Sequence, residues 1–181
     1  MESTEFARNI ALLSIATGKV MGAISKTPTI RLKDGTRGQL LLSSGLIQFG
    51  GGALLTETIS ADPSFQFVVD LNFLNYGIFA LQLLQNAEDS PVLIRQALSA
   101  NLREVVSGIV LLTNGQIRKK LDSSLEVMLI ALGHFMQSLG RQEQFQQKKL
   151  FNDVNRFITT GSWIDVGGSA VILLGNLRDT A

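Results

Sequence analysis

The chain has 181 residues, no cysteine, and a net charge of +1 from 16 basic and 15 acidic side chains. Without cysteine there is no disulfide, no thiolate metal site and no Cys nucleophile, and the balanced charge lacks the basic excess of a nucleic-acid binder. Only 17% of residues are charged and 45% are hydrophobic, against a usual charged share of about 25%, so the chain is expected to cover part of its surface with an oligomer, a partner or a membrane.

The length suits a single domain over 1–181, large enough for its own core. The N-terminus, MESTEFARNI, places two acids before the first base, the wrong sign for a secretory signal. Together with the missing cysteines, this predicts a cytoplasmic protein. Two charge-free stretches, Gly38–Thr56 and Leu71–Ala87, approach membrane-spanning length. The first holds five glycines and the second holds several Asn and Gln. Neither is a run of about 20 mainly apolar residues, so contact with a membrane surface is the further expectation, not a span.

Residues 3–24 predict a first helix, capped by Ser3 or Thr4 with Glu5 in its first turn. Phe6, Ile10, Leu13, Val20 and Ile24 lie near one face at helical spacing and predict its core side. From Thr29 the period changes. Thr29-Ile30-Arg31-Leu32 alternates, Asp34-Gly35 signals a hairpin turn, and Gly38–Leu42 reads as the returning strand. Ser44-Gly45 makes a second turn before Leu46–Phe49, which completes a meander ended by Gly50-Gly51-Gly52. Phe65–Val69 is β-prone after Asp62-Pro63, and residues 72–87 predict a helix. Ser90 and Pro91 suit the N-cap and first position of a helix running to about Val106.

The hairpin signal then returns. Gly108–Leu112 reads as a strand, Asn114-Gly115 as the turn and Gln116–Lys119 as its partner. A helix from Asp122 or Ser123 to about Leu139 follows, ended by Gly140. Another runs from about Gln142 to Ile158 with Phe145, Phe151 and Ile158 inward. Thr159–Gly168 reads as loop and Ser169–Leu174 as a last buried strand.

Aligned without a gap, Gly38–Gln48 (GQLLLSSGLIQ) matches Gly108–Arg118 (GIVLLTNGQIR) at Gly38/Gly108, Leu41/Leu111, Leu42/Leu112, Gly45/Gly115 and Ile47/Ile117. Any buried hairpin asks for such a pattern, and so does a duplicated unit dividing the chain at 1–88 and 89–181. The expected fold is therefore α+β: antiparallel hairpins or a meander packed with several amphipathic helices. Gly35, Gly45 and Gly115 supply its turns. The stretches Asp34–Phe49 and Ser107–Leu132, with Phe65-Gln66-Phe67 and the Leu81–Leu84 helix, resemble the PATAN or DUF4388 type of bacterial signalling module. That resemblance implies a non-catalytic protein–protein interaction module.

Chemistry is sparse. The single histidine, His134, sits in an apolar helix with no acid within one turn, and reads as a core or interface residue rather than a general base. The carboxylates Glu57, Asp62, Asp70, Asp153 and Asp165 are isolated. Gly50-Gly51-Gly52 lacks the G-K-[ST] that follows a phosphate cradle. No catalytic residue, cofactor or metal is expected. Trp163, the only Trp, reads as a partner anchor or a lid on the core. Arg118-Lys119-Lys120 reads as a solvated face or a partner-binding patch. The expected function is a non-catalytic interaction or scaffold module, oligomeric because of the low charge. The alternatives are a self-assembling structural subunit (shell, filament or secretion-complex component) and a peripheral membrane-associated protein.

Overall fold

A computed structural model describes residues 2–58, 73–74, 76–78, 80–81, 84, 91–113, 121–151 and 153–180. Five helices dominate: α1 (Glu2–Ser25), α2 (Asp34–Thr58), α3 (Pro91–Thr113), α4 (Leu121–Gln146) and α5 (Arg156–Thr180). The described residues between 73 and 84 are also helical. Among the described residues there is no strand. The fold is therefore an all-helical bundle, and the α+β expectation is overturned.

The corrections are local and share one cause. The expected meander at Gly38–Phe49 is the body of α2, and the expected strand Gly108–Leu112 is the last turn and a half of α3. The loop Thr159–Gly168 and the strand Ser169–Leu174 are both inside α5. Gly35 lies in the first turn of α2 and Gly45 in its middle; neither makes a hairpin turn, and no described glycine has positive φ. Glycine was read as punctuation, but here it thins one face of a helix so that a second helix can approach. The second hairpin turn, Asn114-Gly115, and the β-prone Phe65–Val69 lie outside the described residues.

The helix ends follow ordinary capping chemistry. Pro91 opens α3 at the position where its missing N–H costs nothing. Asn155 Oδ1 accepts from Ile158 N at 3.1 Å and caps α5. After α4, Lys148 adopts φ 51°, and Lys149 N donates to Gln144 O at 3.0 Å. This left-handed cap is carried by a lysine, not a glycine, which is why the break between α4 and α5 leaves little trace in the sequence. Between α1 and α2, Arg37 donates to the carbonyls of Ser25 and Ile30 and holds the connection. The expected strand Thr29–Leu32 is this connection.

The helices pack as neighbours in the order α2, α1, α5, α4, α3. Leu41 of α2 and Leu93, Ile94 and Ala97 of α3 share one buried cluster with Phe151, so side chains close the ring. Each of the larger members contributes about 1.5–3 kcal/mol by leaving water. The tightest approach is between α4 and α5. A Cβ on Gly133 would come 2.7 Å from Gly161 O and 2.8 Å from Asp165 N. On the α1–α2 side, Ser44 Oγ donates to Gly18 O at 2.7 Å across the interface.

Candidate functional site

The interior of the ring is polar. Lys19, Glu104, His134, Gln137, Arg141 and Asp165 are all buried, whereas Phe6, Ile10 and Leu13, expected on the core side of α1, are exposed. Large apolar side chains on α4 are exposed as well. The inward faces are built from small and polar residues, the reverse of the usual amphipathic pattern.

A sequence regularity produces this. Lys19, Gln48, Glu104, Gln137 and Asp165 are each followed three residues later by a small residue: Gly22, Gly51, Ser107, Gly140 and Gly168. Positions three apart share a helix face, so one face of each helix pairs a polar side chain with a small one. All five polar residues line one cavity of about 90 Å³. Two of the segments also match directly, Ile47-Gln48-Phe49-Gly50-Gly51-Gly52-Ala53 against Ile164-Asp165-Val166-Gly167-Gly168-Ser169-Ala170. These matches lie within helices, and their register differs from that of the Gly38/Gly108 alignment.

Lys19 Nζ donates to Asp165 Oδ1 at 2.6 Å, with both side chains almost fully buried. Burial by itself would raise Asp165, but Lys19 and His134 outweigh it and hold the carboxyl below its ordinary value. His134 Nδ1–H donates to Asn101 Oδ1 at 3.1 Å. An amide oxygen only accepts, so the neutral ring carries its lone pair on Nε2. That Nε2 lies 3.6 Å from Asp165 Oδ2 and has no hydrogen-bond partner among the described residues. Burial pushes His134 down to about 4, against the pull of Asp165.

Two more cations reach inward. Lys26 Nζ donates to Gln137 Oε1 at 3.0 Å, and burial, with help from Arg141, lowers it to about 8. Arg141 donates to Gln144 Oε1 at 2.7 Å and Phe151 O at 2.9 Å, with its guanidinium 3.8 Å over the Phe151 ring. Gln144 in turn donates to the carbonyls of Phe151 and Asp153. This group ties the α4–α5 connection to the core, and its role is structural.

A second cavity, of about 120 Å³, adjoins the first and shares Lys19, Tyr76 and Glu104 with it. The rest of its wall is mainly apolar, including Leu12, Ile15, Leu55, Leu111, Val127 and Ile130. Glu126 also borders it, and burial raises that carboxyl to about 8 despite Lys19 and Arg8. Among the described residues no three His, Asp or Glu side chains come together to hold a metal ion.

Of the residues singled out from sequence, Trp163 lies on α5, is exposed, and donates from Nε1 to Thr27 Oγ1 at 2.9 Å. It bridges α5 to the end of α1. Arg118, Lys119, Lys120 and Gly115 lie outside the described residues. Gly45 lines the polar cavity, while a Cβ on Gly35 would meet nothing. Asp165, expected to be isolated, is paired with Lys19, and the sequence reading does not single out Lys19, Glu104, Gln137 or Arg141. The spacing of a polar residue three before a small one was the signal that pointed to most of them.

No curated protein and no solved structure matches the chain. The resemblance to PATAN or DUF4388 modules is not sustained: its motif stretches are helical wherever they are described, and the match found is to another family. Residues 9–173 match the family of unknown function DUF6944, and the chain belongs to that family.

Proposed function

We propose that this protein is a non-catalytic helical interaction module that pairs with a second copy of itself through the outer face of α4. One observation carries the reading. Leu125, Met128, Leu132, Phe135 and Leu139 are all exposed and recur at alternating spacings of three and four. That is the period of a coiled-coil seam, sustained over about 21 Å of helix. No charged side chain is exposed within it.

A second copy is the occupant this face fits best. About Leu132 the stripe is close to symmetric, with Leu125 and Leu139 seven residues away on either side and Met128 and Phe135 four and three residues away. A two-fold axis there sets Leu125 against a second copy's Leu139 and Met128 against its Phe135. Such self-complementarity is what an isologous dimer needs. The stripe offers no exposed charge by which to select a foreign partner. The low charge content of the chain, and a cytoplasmic location for a protein without cysteine, belong to the same reading.

A bilayer is the second reading, and α5 favours it. Its segment Arg156–Arg178 is long and apolar enough to cross a membrane, although a third of its apolar stretch is buried inside the bundle. Against a lipid-facing exterior stands α3, whose outer face carries Arg95 and Arg103. Arginine near a helix centre costs about 2.5–3.5 kcal/mol on insertion scales.

Light scattering without detergent tests the proposal. The expected mass is twice the 19.6 kDa of the chain, and Leu132→Glu with Phe135→Glu is expected to yield a folded monomer. A wild-type monomer at every concentration overturns the dimer, as does a dimer indifferent to both substitutions. A protein extracted and dispersed only by detergent overturns it in favour of the bilayer.

A further inference from the structure

We infer that the two adjoining cavities form one binding site for a small uncharged amphipath, with a hydroxyl head in the polar chamber and an aliphatic tail in the apolar one. The site lies inside the bundle and is independent of the α4 face.

The head is chosen by His134 Nε2, buried without a hydrogen-bond partner among the described residues, and by the carboxylate beside it. His134 Nε2 and Asp165 Oδ2 face each other at 3.6 Å, too far for a direct hydrogen bond. Both are acceptors in the tautomer that Asn101 selects. Leaving such a pair dry is costly, and one donor placed beside both would satisfy them. The Lys26 ammonium lines the same chamber and has donors beyond the one given to Gln137. A hydroxyl can donate to the acceptors and accept from the ammonium.

Charge excludes an ammonium head, and the facing acceptors exclude a carboxylate. The polar chamber is lined by Lys19, Lys26 and Arg141 against Glu104 and Asp165, one cation in excess. An ammonium head would add a second excess cation to a desolvated space. A carboxylate head would set a third acceptor against His134 Nε2 and Asp165 Oδ2. The hydroxyl alone leaves the charge balance as it is.

The tail is chosen by volume and lining. The chamber beyond Lys19, Tyr76 and Glu104 holds about 120 Å³. An apolar cavity of about 150 Å³ takes benzene, so this one takes an aliphatic tail of about four or five carbons. Leu111, Val127 and Ile130 line it. Water gains little there, because the wall offers few polar partners.

The test uses the full chain and three probes of one length: 1-pentanol, pentylammonium and pentanoate. Saturation-transfer NMR and thermal shift are read for each. Saturable binding of 1-pentanol is expected, with both charged probes weaker by about tenfold or more. Val127→Phe, which fills the tail chamber, is expected to abolish binding. His134→Leu, which removes the head's acceptor, is expected to weaken 1-pentanol while leaving the circular dichroism unchanged. No saturable binding of any probe means that the chambers hold only water, and it overturns the inference. A tighter charged probe, or 1-pentanol binding unmoved by His134→Leu, also overturns it. Should Val127→Phe fail to fold, the probe ranking and His134→Leu still decide.

Discussion

Lys19 and Asp165, 146 residues apart in the chain, hold each other at 2.6 Å inside the bundle. The pair joins α1 to α5, helices that the connectivity alone does not make neighbours. Its energetic meaning is asymmetric. Removing one partner strands a buried charge, whereas removing both strands none.

Lys19→Met or Asp165→Leu alone is therefore expected to cost about 3–5 kcal/mol. The double variant Lys19→Met with Asp165→Leu is expected to recover most of that loss. Urea denaturation of the four proteins, arranged as a double-mutant cycle, measures the coupling. Additive losses would show that the pair does not act as a unit.

The pH dependence of stability follows from three groups that folding draws out of water, His134 fully and Glu126 and Lys26 in part. Burial raises Glu126 from 4.5 to about 8, so the folded state holds a proton that the unfolded state releases. Its contribution is fully present below 4.5 and is lost as pH rises towards 8. His134 runs the other way. Lowered from 6.5 to about 4, it contributes stability above 6.5 that is lost as pH falls towards 4. Lys26, lowered from 10.5 to about 8, favours folding increasingly as pH rises from 8 to 10.5. Between 6.5 and 8, Glu126 dominates among the three. The melting midpoint is expected to fall across that window in the wild type and to stay level in Glu126→Gln. Parallel curves for the two proteins would remove Glu126 as the cause.

The glycines divide by what a side chain would meet. A Cβ on Gly161 would run into Gly133 O and come 2.9 Å from Gln137 N, both backbone atoms that cannot turn aside. Gly161→Ala is expected to cost about 1–3 kcal/mol through overpacking. Gly167 sits in the same helix, and a Cβ there would meet nothing within 4 Å. Gly167→Ala is expected to stabilise by about 0.5–1 kcal/mol, because alanine loses less freedom on entering a helix. Denaturation midpoints that move in the same direction would refute this division.

Some of the fold was legible in advance. The start of α1, the Pro91 start of α3 and the apolar body of α4 were all read as helical, and their capping or helical periodicity is local. His134 was read as a core or interface residue, and it is buried. The faces were not legible. Phe6, Ile10 and Leu13 have the spacing of a core stripe, yet they point outward. Periodicity reports that a helix has two faces; it does not report which one is inside.

The amino-acid sequence by itself determined the class of chemistry: no thiol, one histidine, few charges, and a polar residue set three places before a small one in helix after helix. Those features depend only on which residues are present and how they are spaced. Only the tertiary structure decided that Gly133 and Gly161 are points of helix contact, that Gly45 lies inside a helix and not in a turn, and that Lys19 meets Asp165. A glycine at a helix crossing and a glycine in a hairpin look alike over ten residues. The difference lies in the backbone of a second helix, which arrives from more than a hundred residues away in the case of the ion pair.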